Sequence, residues 1–333
     1  MKKTIALLYG GAGAEHDVSV LGFNNSLGIF NREKYDVVPI FIDKDASWYI
    51  IEGDLRIPTF TVRVKGKAGF WKNGKIIHVD CVFPLLHGDL GEDGVIQGYL
   101  AAMGIPFVGE GVSVGSLCID KAYCKAVAES LGVPVARYKV FRRGVTSSDA
   151  LETVKSELGL PVFVKPTGLG SSVGASMADT AEKFINAFLS ASLLGDGGVI
   201  CEELITEKRE LECALLVTDT GTVVTYPSEI IIDGTYGYNE KYKQKTRTCV
   251  IADVDKTVKE RVVEYSYRLA SGIGIGAMAR IDFFLSKERV IFNEINTMPG
   301  FTEDSMYLKM LESFGIPPEK AVEILVDRAI GKK

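Results

Sequence analysis

One short stretch of the chain, residues 279–300, carries two carboxylates, an amide and a guanidinium at regular intervals (ARIDFFLSKERVIFNEINTMPG). Its pattern predicts two β-strands joined by a polar three-residue turn. Antiparallel pairing about such a turn places Asp282 opposite Glu294, and Arg280 opposite Asn296. Because side chains alternate between the two faces of a strand, all four polar groups should project from one face, with opposed Cβ atoms ~5 Å apart.

The same polar groups predict a metal site. Two neighbouring carboxylates repel each other unless a positive charge lies between them. The side-chain oxygens of Asp, Glu and Asn are ligands of hard cations, so this set favours Mg²⁺. The alternative is a solvated hairpin with a surface network of Arg, Asp and Glu. The abrupt end of the second strand at Asn296, before a Pro-Gly turn, favours the metal site. The opposite face is predicted to be core, and it comprises Ile281, Phe283, Leu285, Ile291 and Ile295, with Asn293 as the exception.

Length and composition exclude several classes of partner. The 333 residues exceed one usual core and predict two or three domains. The net charge of −5 argues against nucleic acid or an anionic membrane surface as a partner. No apolar run approaches ~20 residues, so no membrane span is predicted. The N-terminus lacks a signal-peptide cleavage pattern, and the cysteines form no C-x-x-C pair, which favours reduced thiols and a cytoplasmic location.

The N-terminal residues predict a βαβ unit. A strand at 4–9 runs into a glycine-rich turn, a helix at 20–30 and a second strand at 35–42. A dinucleotide-binding fingerprint needs a third glycine at the position of His16, so a nicotinamide cofactor is disfavoured. The turn at the start of the helix can still bind an anion or place a polar side chain, and Glu15 lies within it.

A second glycine-rich loop, residues 87–94, follows an apolar strand predicted at 81–86. Its three glycines indicate a backbone that bends sharply or approaches a ligand closely. His87 begins this loop at the carboxyl end of the strand, which is where α/β sheets bind ligands. A capped loop histidine without a ligand is the alternative. We therefore expect His87 to lie near a substrate.

The middle of the chain predicts a phosphate-binding site. Lys165 ends a strand predicted at 161–165, and a loop with three glycines and two serines follows at 166–174. Backbone N–H groups and hydroxyls in such a loop can bind phosphate oxygens. It is not a P-loop, because its lysine precedes the glycines; a mobile lid and a plain linker are alternative interpretations. Lys121 lies within a single helix predicted at 113–131.

Two further segments are predicted to lack a core strand. Residues 53–79 are polar and glycine-bearing, which predicts an irregular loop and a hairpin. Residues 234–248 (GTYGYNEKYKQKTRT) are rich in tyrosine and lysine, which predicts a loop that closes over an anionic ligand. Just before this loop, residues 211–217 and 222–232 have the pattern of an antiparallel pair.

Together these features predict an ATP site that phosphorylates a carboxylate. Phosphoryl transfer needs alignment and charge neutralisation more than covalent help from the protein. The product, an acyl phosphate, is destroyed by water. A closing lid would exclude water until a second nucleophile attacks the acyl carbon.

Seven motifs, in one order along nearly the whole chain, resemble those of the ATP-grasp carboxylate–amine ligases, and among them the D-alanine–D-alanine ligase family. They are GG-x-x-AEHDVS at 10–19, HG-x-x-GEDG at 87–94, IDK at 119–121, PVFVKP-x-x-x-GSSVG at 161–174, YGYNEKY at 236–242, RID at 280–282 and NEINTMPGFT at 293–302. The resemblance implies ATP-dependent joining of two D-alanines for peptidoglycan synthesis. It also implies a cytoplasmic homodimer.

The resemblance further implies an α/β (α+β) ATP-grasp fold of three domains. Residues 1–112 would form a Rossmann-like N-terminal substrate domain. Residues 113–206 would form the central subdomain with the Gly-Ser-rich loop. Residues 207–333 would form the C-terminal subdomain with the lid loop and the metal site, and ATP would bind between the last two.

Roles for the substrate-binding residues follow from the same motifs. Glu15 would bind the ammonium group of the first D-alanine and would form a triad with Ser171 and Tyr242 that positions substrate and lid. His87 would lie near this first substrate. Arg280 and the backbone amide of Gly300 would stabilise the oxyanion of the tetrahedral intermediate. The carboxylate of the second substrate would face two neighbouring residues, Ser305 and Met306.

The motifs also assign the nucleotide and metal ligands. ATP phosphates would contact Lys121, Lys165, Ser172 and Lys241. The adenine and ribose would contact Glu202, Glu203, Ile205 and Glu210. Two Mg²⁺ or Mn²⁺ ions would be held by Asp282, Glu294 and Asn296.

Four features depart from the family pattern. Gly13 stands where serine is usual, and Asp89 stands where proline is usual. The interval between Glu203 and Glu210 is one residue longer, and residues 303–306 replace a commoner Ser-His-Ser pattern. The last departure borders the second-substrate pocket, so a D-alanine–D-serine ligase is an alternative.

Three further hypotheses about function are disfavoured by particular residues. Tyr242 favours an amine nucleophile over the hydroxyl of D-lactate, because the lactate-using relatives carry histidine there. A non-catalytic nucleotide-binding module is disfavoured by the complete set of lysines, arginine and metal ligands. A nicotinamide dehydrogenase is disfavoured by the incomplete glycine fingerprint.

Overall fold

A computed structural model of the chain describes residues 2–170, 173–194, 197–231, 247–302 and 305–331. These residues form a mixed α/β structure with four β-sheets. Among them, no helix combines the length and the apolar character needed to cross a membrane.

The N-terminal part is built on a five-stranded sheet. Its elements are β1 (Lys3–Gly10), α1 (His16–Ser26), β2 (Tyr35–Ile42), β3 (Trp48–Glu52), β4 (Leu55–Pro58), β5 (Thr61–Val64), β6 (Lys67–Lys72), β7 (Lys75–His78), β8 (Cys81–Pro84) and α2 (Val95–Ala102). The strand order is β4-β3-β2-β1-β8, and β1 pairs in parallel with both neighbours. The predicted βαβ unit is confirmed, and α1 begins at His16, which shortens the glycine-rich turn before it.

The region that was predicted to be an irregular loop and a hairpin is more regular than expected. Residues 53–79 contribute β4 to the edge of the main sheet and form a separate antiparallel sheet in the order β5-β6-β7. Lys65 and Asn73 make the two tight turns of this small sheet with positive φ angles of 49° and 45°. The sequence pattern did not predict these strands, because they are short and their turns are polar.

The middle part forms a four-stranded antiparallel sheet covered by helices. Its elements are α3 (Val112–Ile119), α4 (Lys121–Ser130), β9 (Tyr138–Phe141), α5 (Ser147–Glu157), β10 (Val162–Pro166), β11 (Ser176–Ala178), α6 (Ala181–Leu194) and β12 (Val199–Glu203). The strand order is β11-β10-β12-β9. Apolar residues of α5 and α6 pack on one face of this sheet, with Phe184 and Val154 fully buried.

The single helix predicted at 113–131 is wrong: the chain breaks at Asp120. Asp120 has an extended backbone, and its carboxylate accepts hydrogen bonds from Ala122 N at 2.9 Å and Tyr123 N at 3.1 Å. It therefore caps α4, as Asp commonly does at a helix start. The break places Lys121 in the first position of α4, where its N–H donates to Thr167 O at 2.8 Å.

The C-terminal part contains the largest sheet. Its elements are β13 (Arg209–Thr218), β14 (Gly221–Val224), β15 (Ser228–Ile231), β16 (Arg247–Cys249), α7 (Lys256–Ile273), β17 (Met278–Ser286), β18 (Arg289–Asn296), α8 (Met306–Ser313) and α9 (Pro318–Gly331). The order is β16-β15-β13-β17-β18, and β14 also pairs with β13. The predicted strand at 222–232 is thus two strands, β14 and β15, that pair with different ends of β13.

The β17–β18 hairpin has the predicted pairing at its functional end but not at its turn. Asp282 lies opposite Glu294, and Arg280 lies opposite Asn296. The turn is only two residues long, and both have positive φ angles, 49° and 64°. A β-bulge between Asp282 and Phe283 absorbs the difference, since Asn293 is the extra residue on β18.

Because of the bulge, the predicted core face of the hairpin is wrong for Ile291. Beyond it, Phe292 pairs with Phe283, and Ile291 pairs with Phe284. Phe292 therefore lies in the apolar core beneath the sheet, and Ile291 lies on the same face as Asp282. Asn293 had been the polar exception in an apolar row, and its position in the bulge explains that exception.

A buried carboxylate joins the N-terminal part to the largest sheet. Glu110 follows the last N-terminal segment, and its carboxylate accepts hydrogen bonds from the backbone N–H groups of Gly276, Ala277 and Met278 at 2.7–3.2 Å. Helices α8 and α9 pack on both the N-terminal sheet and β13, in one continuous core. These contacts fix the loops after β1 and β8 against the edge of the hairpin.

Candidate active site

A cleft separates the middle sheet from the largest sheet. Both sheets contribute polar side chains to it, and nine of the residues predicted from the sequence line it. They are Lys121, Lys165, Glu202, Glu203, Ile205, Glu210, Arg280, Asp282 and Glu294. The sequence separation between the first and last of these residues is large, so the fold itself assembles the predicted nucleotide and metal residues at one place.

On one side of the cleft, lysines from α4 and β10 surround one buried glutamate on β12; we call Lys121, Lys125, Lys165 and Glu202 the lysine wall. Lys165 Nζ donates to Glu202 Oε2 at 2.9 Å, and Lys125 Nζ lies 3.4 Å from Glu202 Oε1. The side chains of Lys125 and Glu202 are only 1% and 3% exposed. Lys125 Nζ also donates to the backbone oxygen of the bulge residue Asn293 at 3.0 Å.

The charges of the lysine wall shift one another's pKa values. Burial alone raises the pKa of Glu202, but the attraction of Lys125 and Lys165 outweighs it and lowers the pKa to about 2. Burial lowers the pKa of Lys125. For Lys165 the charge of Glu202 overcomes burial, and its pKa is raised. Lys165 thus keeps its positive charge beside the cleft.

Lys121 reaches across the cleft. Its Nζ donates to Leu169 O at 2.6 Å, within the Gly-Ser-rich loop, and lies 3.7 Å from Glu294 Oε2 on the hairpin. An ammonium group between a backbone oxygen and a carboxylate is placed where a phosphate would replace or join both partners. The break in the helix at Asp120 sets this position.

Two further predicted nucleotide residues, Glu203 and Glu210, line the cleft and are held by neighbouring cations. Glu203 accepts hydrogen bonds from the backbone N–H and the Nε of Arg137 at 2.9 and 2.7 Å. Glu210 lies 2.8 Å from Lys208 Nζ, which lies 3.9 Å from the centre of the Phe284 ring. Glu210 therefore lines the cleft despite the extra residue in this segment.

On the side of the largest sheet, three carboxylates are cross-strand neighbours on one face; we call Glu212, Asp282 and Glu294, with Arg280, the carboxylate wall. Glu212 on β13 pairs with Asp282 on β17, and Asp282 pairs with Glu294 on β18. The Arg280 Nε donates to Asp282 Oδ1 at 2.8 Å, and its Nη2 donates to Asp282 Oδ2 at 2.7 Å. The same Nε lies 2.9 Å from Glu212 Oε2.

The carboxylate wall has the donor atoms that a hard cation needs. Asp282 and Glu294 supply carboxylate oxygens, and Asn296 lies beside them with its Nδ2 donating to Asp282 Oδ2 at 3.1 Å. These oxygen donors fit Mg²⁺ or Mn²⁺. Within the described ranges, however, no three His, Cys, Asp or Glu side chains already converge around one point. Arg280 donates to both oxygens of Asp282, so a metal ion would share these oxygens with the guanidinium or displace it.

The loops after β1 and β8 bring Glu15 close to Gly88, and Glu15 also lies near Gly170, which lines the cleft. A Cβ atom on Gly88 would lie 1.7 Å from Glu15 Oε2, and one on Gly170 would lie 3.5 Å from the same oxygen. Glu15 therefore lies directly against the loop at residues 87–94, which we call the histidine loop, and next to the Gly-Ser-rich loop. His87 Nδ1 is 3.1 Å from Met298 O, and burial lowers the pKa of its imidazole.

Glu92 fastens these loops to the hairpin. Its Oε2 accepts from Gly88 N and its Oε1 accepts from Met298 N, both at 2.9 Å. Burial raises the pKa of Glu92 to about 7, against the effect of these two hydrogen bonds. The histidine loop and the Met-Pro-Gly turn are thereby held by one carboxylate, although 206 residues separate Glu92 from Met298.

The residues predicted for the second substrate lie just beyond this turn. Ser305 is the N-cap of α8, and its hydroxyl accepts from Leu308 N at 3.4 Å. A Cβ atom on Gly300 would lie 3.6 Å from Ser305 Cβ, so the two predicted residues are adjacent. Met306 is the first residue of α8. The N-terminus of a helix attracts a carboxylate, as the prediction requires.

Both halves of the chain match known family models. Residues 4–110 match the model described as D-ala D-ala ligase N-terminus, and residues 127–327 match D-ala D-ala ligase C-terminus. The chain belongs to the D-Ala–D-Ala ligase family. It is 36% identical to a D-alanine–D-alanine ligase of Caldicellulosiruptor bescii, over 99% of this chain and 96% of that one. It is also 36% identical to one of Deinococcus radiodurans, over 100% of both chains.

Solved structures of this ligase family have the same fold. The VanG D-Ala:D-Ser ligase of Enterococcus faecalis superposes with a TM-score of 0.88 at 29% identity, covering 99% of this chain and 100% of that one. The D-alanyl-alanine synthetase A of Vibrio cholerae superposes with a TM-score of 0.90 at 27% identity, covering 99% of both chains. The predicted ATP-grasp fold is thereby confirmed.

Four of the predicted site residues lie outside the described residues of this D-Ala–D-Ala ligase family member, as does most of the lid loop predicted at 234–248. These four are Ser171, Ser172, Lys241 and Tyr242. Three residues of the site were not predicted: Lys125, Glu212 and Glu92. Lys125 lies one helical turn after Lys121, and Glu212 lies two residues after Glu210 on the same face of β13. That spacing was the available signal for both. In the sequence, Glu92 appeared only as one position of the HG-x-x-GEDG motif.

Proposed function

We propose that this chain is an ATP-dependent ligase that joins two D-alanines into D-alanyl-D-alanine and releases ADP and phosphate, for peptidoglycan synthesis. Membership of the D-Ala–D-Ala ligase family supports the activity. The observation that carries it is the cleft between two walls of opposite charge, with Glu15 next to Gly170 in the cleft lining. The phosphates of ATP would meet the lysine wall, and a metal ion would meet the carboxylate wall. The ammonium group of a small zwitterion would meet Glu15.

ATP would lie along the cleft. Its phosphates would contact the lysine wall, where Lys121 and Lys165 reach the cleft, together with Ser172 and Lys241. The adenine would contact the strand end at Glu202, Glu203 and Ile205, and the ribose would contact Glu210. This assignment is supported by the shared lining of one cleft. One of the solved relatives is a D-alanine–D-alanine ligase from Bacillus anthracis complexed with ATP, which agrees with the nucleotide.

The first D-alanine would bind with its ammonium group near Glu15 and its carboxylate toward the γ-phosphate. A carboxylate oxygen attacks the γ-phosphorus, the bond to the β-phosphate oxygen breaks, and ADP leaves with that electron pair. Neutral His87 beside the substrate adds no second positive charge, since burial lowers its pKa. The acyl phosphate that forms must be kept from water. Ser171 and Tyr242, with Glu15, would hold the covering loops closed.

The second D-alanine would bind with its carboxylate at the N-terminus of α8, near Ser305 and Met306. Its neutral amine attacks the acyl carbon, after its ammonium form has lost a proton. Arg280 and the Gly300 amide would stabilise the oxyanion of the tetrahedral intermediate, because both are donors on this side of the site. The carbon–oxygen bond to phosphate then breaks, which leaves a peptide bond and inorganic phosphate.

Two Mg²⁺ or Mn²⁺ ions are part of the proposal, held by Asp282, Glu294 and Asn296. Bound there, they would supply positive charge that offsets the negative charge of the phosphates. We further propose a division into domains at 1–112, 113–206 and 207–333, a homodimer, and a cytoplasmic location.

A D-alanine–D-serine ligase is the second candidate. It is favoured by the unusual residues next to Ser305 and by the structural similarity to VanG, a D-Ala:D-Ser ligase. Product analysis separates the two. We expect the purified protein with ATP, Mg²⁺ and D-alanine alone to release ADP and to make the D-alanine dipeptide, detected by mass spectrometry. A mixed dipeptide that forms only when D-serine is added would identify the second candidate.

Two assays test the candidates from other classes. Binding of ATP without turnover of any D-amino acid would show a non-catalytic nucleotide-binding module. A rise in NADH fluorescence on addition of the protein would support a dehydrogenase. We expect turnover in the first assay and no fluorescence change in the second.

A further inference from the structure

Arg280 is bound by two carboxylates that line the cleft and differ in their exposure. Glu212 is 2% exposed, and Asp282 is 17% exposed. Both lie on the same face of the sheet, on adjacent strands, on either side of the guanidinium. One carboxylate would suffice to neutralise one arginine, so one of the two can leave while the other remains.

Burial identifies Glu212 as the carboxylate that remains. Its carboxylate is enclosed by the sheet, and Ser228 Oγ on the neighbouring strand lies 3.4 Å from its Oε1. Separating an arginine from a buried carboxylate is more unfavourable than separating it from a carboxylate that reaches solvent. Without Arg280, Asp282 would still be solvated in the cleft that it lines, and Asn296 would still donate a hydrogen bond to it. Asp282 is thus the carboxylate that can leave Arg280.

We propose that Glu212 is a positioning residue that holds and neutralises Arg280, so that Asp282 is free to turn its oxygens to a metal ion. The proposal rests on the function proposed above, in which Asp282 binds Mg²⁺ and Arg280 meets an oxyanion. Without Glu212, Arg280 would depend on Asp282 for neutralisation. Metal binding would then compete with a bidentate ion pair, and the guanidinium would follow Asp282 away from its working position.

The direct test measures metal binding rather than turnover. Mn²⁺ is titrated into the full-length protein with a non-hydrolysable ATP analogue, and free Mn²⁺ is followed by electron paramagnetic resonance. In Glu212→Gln the shape of the side chain is kept and its charge is removed. We expect half-saturation at a Mn²⁺ concentration about tenfold higher than in the wild type, a change of about 1.4 kcal/mol.

Glu229→Gln is the matched control. Glu229 forms a comparable pair on the same sheet, with both Nε and Nη2 of Arg209 at 2.7 Å. In the described part of the chain, it does not line the cleft. We expect its Mn²⁺ affinity to equal that of the wild type. An unchanged Mn²⁺ affinity in Glu212→Gln, even with a lower melting temperature, would overturn the proposal, because Glu212 would then be structural only.

A double variant separates Glu212's effect through Arg280 from a direct effect on the ion. Glu212→Gln with Arg280→Met removes both charges, so no buried charge is left unpaired and the chain should fold even if the single variant does not. Asp282 is then released from the guanidinium, and we expect Mn²⁺ affinity within about threefold of the wild type. An affinity as weak as in Glu212→Gln would contradict the proposal and would indicate that Glu212 contacts the ion itself.

The wild type separates this proposal from the proposed function. If the wild type makes the D-alanine dipeptide and binds Mn²⁺ but the Glu212 variant binds it equally well, only the role of Glu212 fails. If the wild type neither makes a dipeptide nor binds Mn²⁺ with the ATP analogue, the proposed function fails first.

Discussion

The two walls of the cleft are built in the same way with opposite charges. In the lysine wall, one carboxylate, Glu202, lies between two ammonium groups. In the carboxylate wall, one guanidinium, Arg280, lies between two carboxylates. Each single charge has a buried partner, Lys125 or Glu212, and a second, more exposed partner, Lys165 or Asp282. In each wall, we propose that the buried partner stabilises the inner charge and that the more exposed partner would bind ligand.

The difference between the walls lies in what each can bind. In the proposed function, Lys121 and Lys165 would offer positive charge to phosphate oxygens. Asp282 and Glu294 would offer oxygen atoms to a metal ion, which would supply further neutralisation of the phosphates. A site with only one wall would bind either the nucleotide or the metal. Two opposed walls would bind both, as phosphoryl transfer needs.

The largest effect is expected on the carboxylate wall. Glu294→Gln removes one metal-binding charge and keeps the shape, so we expect kcat to fall by at least ~100-fold. Steady-state assays at several Mg²⁺ concentrations measure this. Glu288→Gln, in the exposed turn of the same hairpin, is the control and should leave kcat unchanged. Near wild-type turnover of Glu294→Gln at saturating Mg²⁺ would remove the metal from this wall.

A second change tests the substrate loops that close the cleft between the walls. In Gly88→Ala the new methyl group would overlap Glu15, 1.7 Å from its Oε2. We expect KM for D-alanine to rise by about tenfold or more. Gly53→Ala is matched in backbone, since Gly53 has φ 58° and Gly88 has φ 61°, and no described atom lies within 4 Å of its added carbon. If both variants behave alike, backbone strain rather than Glu15 explains the result.

A third change tests whether the lysine wall depends on its buried partner. Lys125→Met leaves Glu202 with fewer positive neighbours and removes the donor to the backbone oxygen of Asn293. We expect about 3 kcal/mol less stability in urea unfolding and a KM for ATP several-fold higher. Lys155→Met, which breaks an exposed pair with Glu152, should cost at most about 0.5 kcal/mol. Equal losses in the two variants would refute the special role of Lys125.

The smallest effect concerns pH and two carboxylates with opposite shifts. The pKa of Glu92 is raised to about 7, so the folded state binds a proton that the unfolded chain releases near pH 4.5. Stability from this group is therefore complete below pH 4.5 and is lost as the pH rises to about 7. Glu92→Gln should remove this loss, about 1–2 kcal/mol after allowance for partial exposure.

Urea unfolding of wild type and variant across this window measures the effect. Glu202 gives the contrast, because its pKa of about 2 predicts stability that is lost only as the pH falls from 4.5 toward 2. The outcome that contradicts this is a wild-type stability that declines between pH 4.5 and 7 by no more than the stability of Glu92→Gln. Glu92 would then be ionised throughout this range.

The hairpin shows how far sequence reasoning reaches. Alternation and pairing correctly placed Asp282 opposite Glu294, although the turn was predicted one residue too long. A second irregularity, the bulge at Asn293, cancelled that error at the functional end. Two non-glycine residues with positive φ are uncommon, so a two-residue turn was disfavoured by local preference. Ile291 was misplaced for the same reason, because the face that a residue takes depends on register.

The fold and most of the cleft were predicted because family motifs and strand patterns are local in sequence. Contacts between distant elements were not predictable in this way. Lys125 and Glu212 have the pattern of ordinary polar residues in an amphipathic helix and an alternating strand. Their burial and their partners appear only when α4, β12, β13 and β17 are brought together. The break at Asp120 was missed because apolar spacing continues across it.

The measurement that most directly tests the two-wall account follows an oxygen atom. D-alanine labelled with ¹⁸O in its carboxylate is incubated with the wild-type protein, ATP and Mg²⁺, and the released phosphate is analysed by mass spectrometry. If the cleft aligns the carboxylate with the γ-phosphate, each dipeptide formed should leave one ¹⁸O atom in the released phosphate. Unlabelled phosphate formed together with dipeptide would contradict the acyl phosphate route and the alignment that the two walls are proposed to provide.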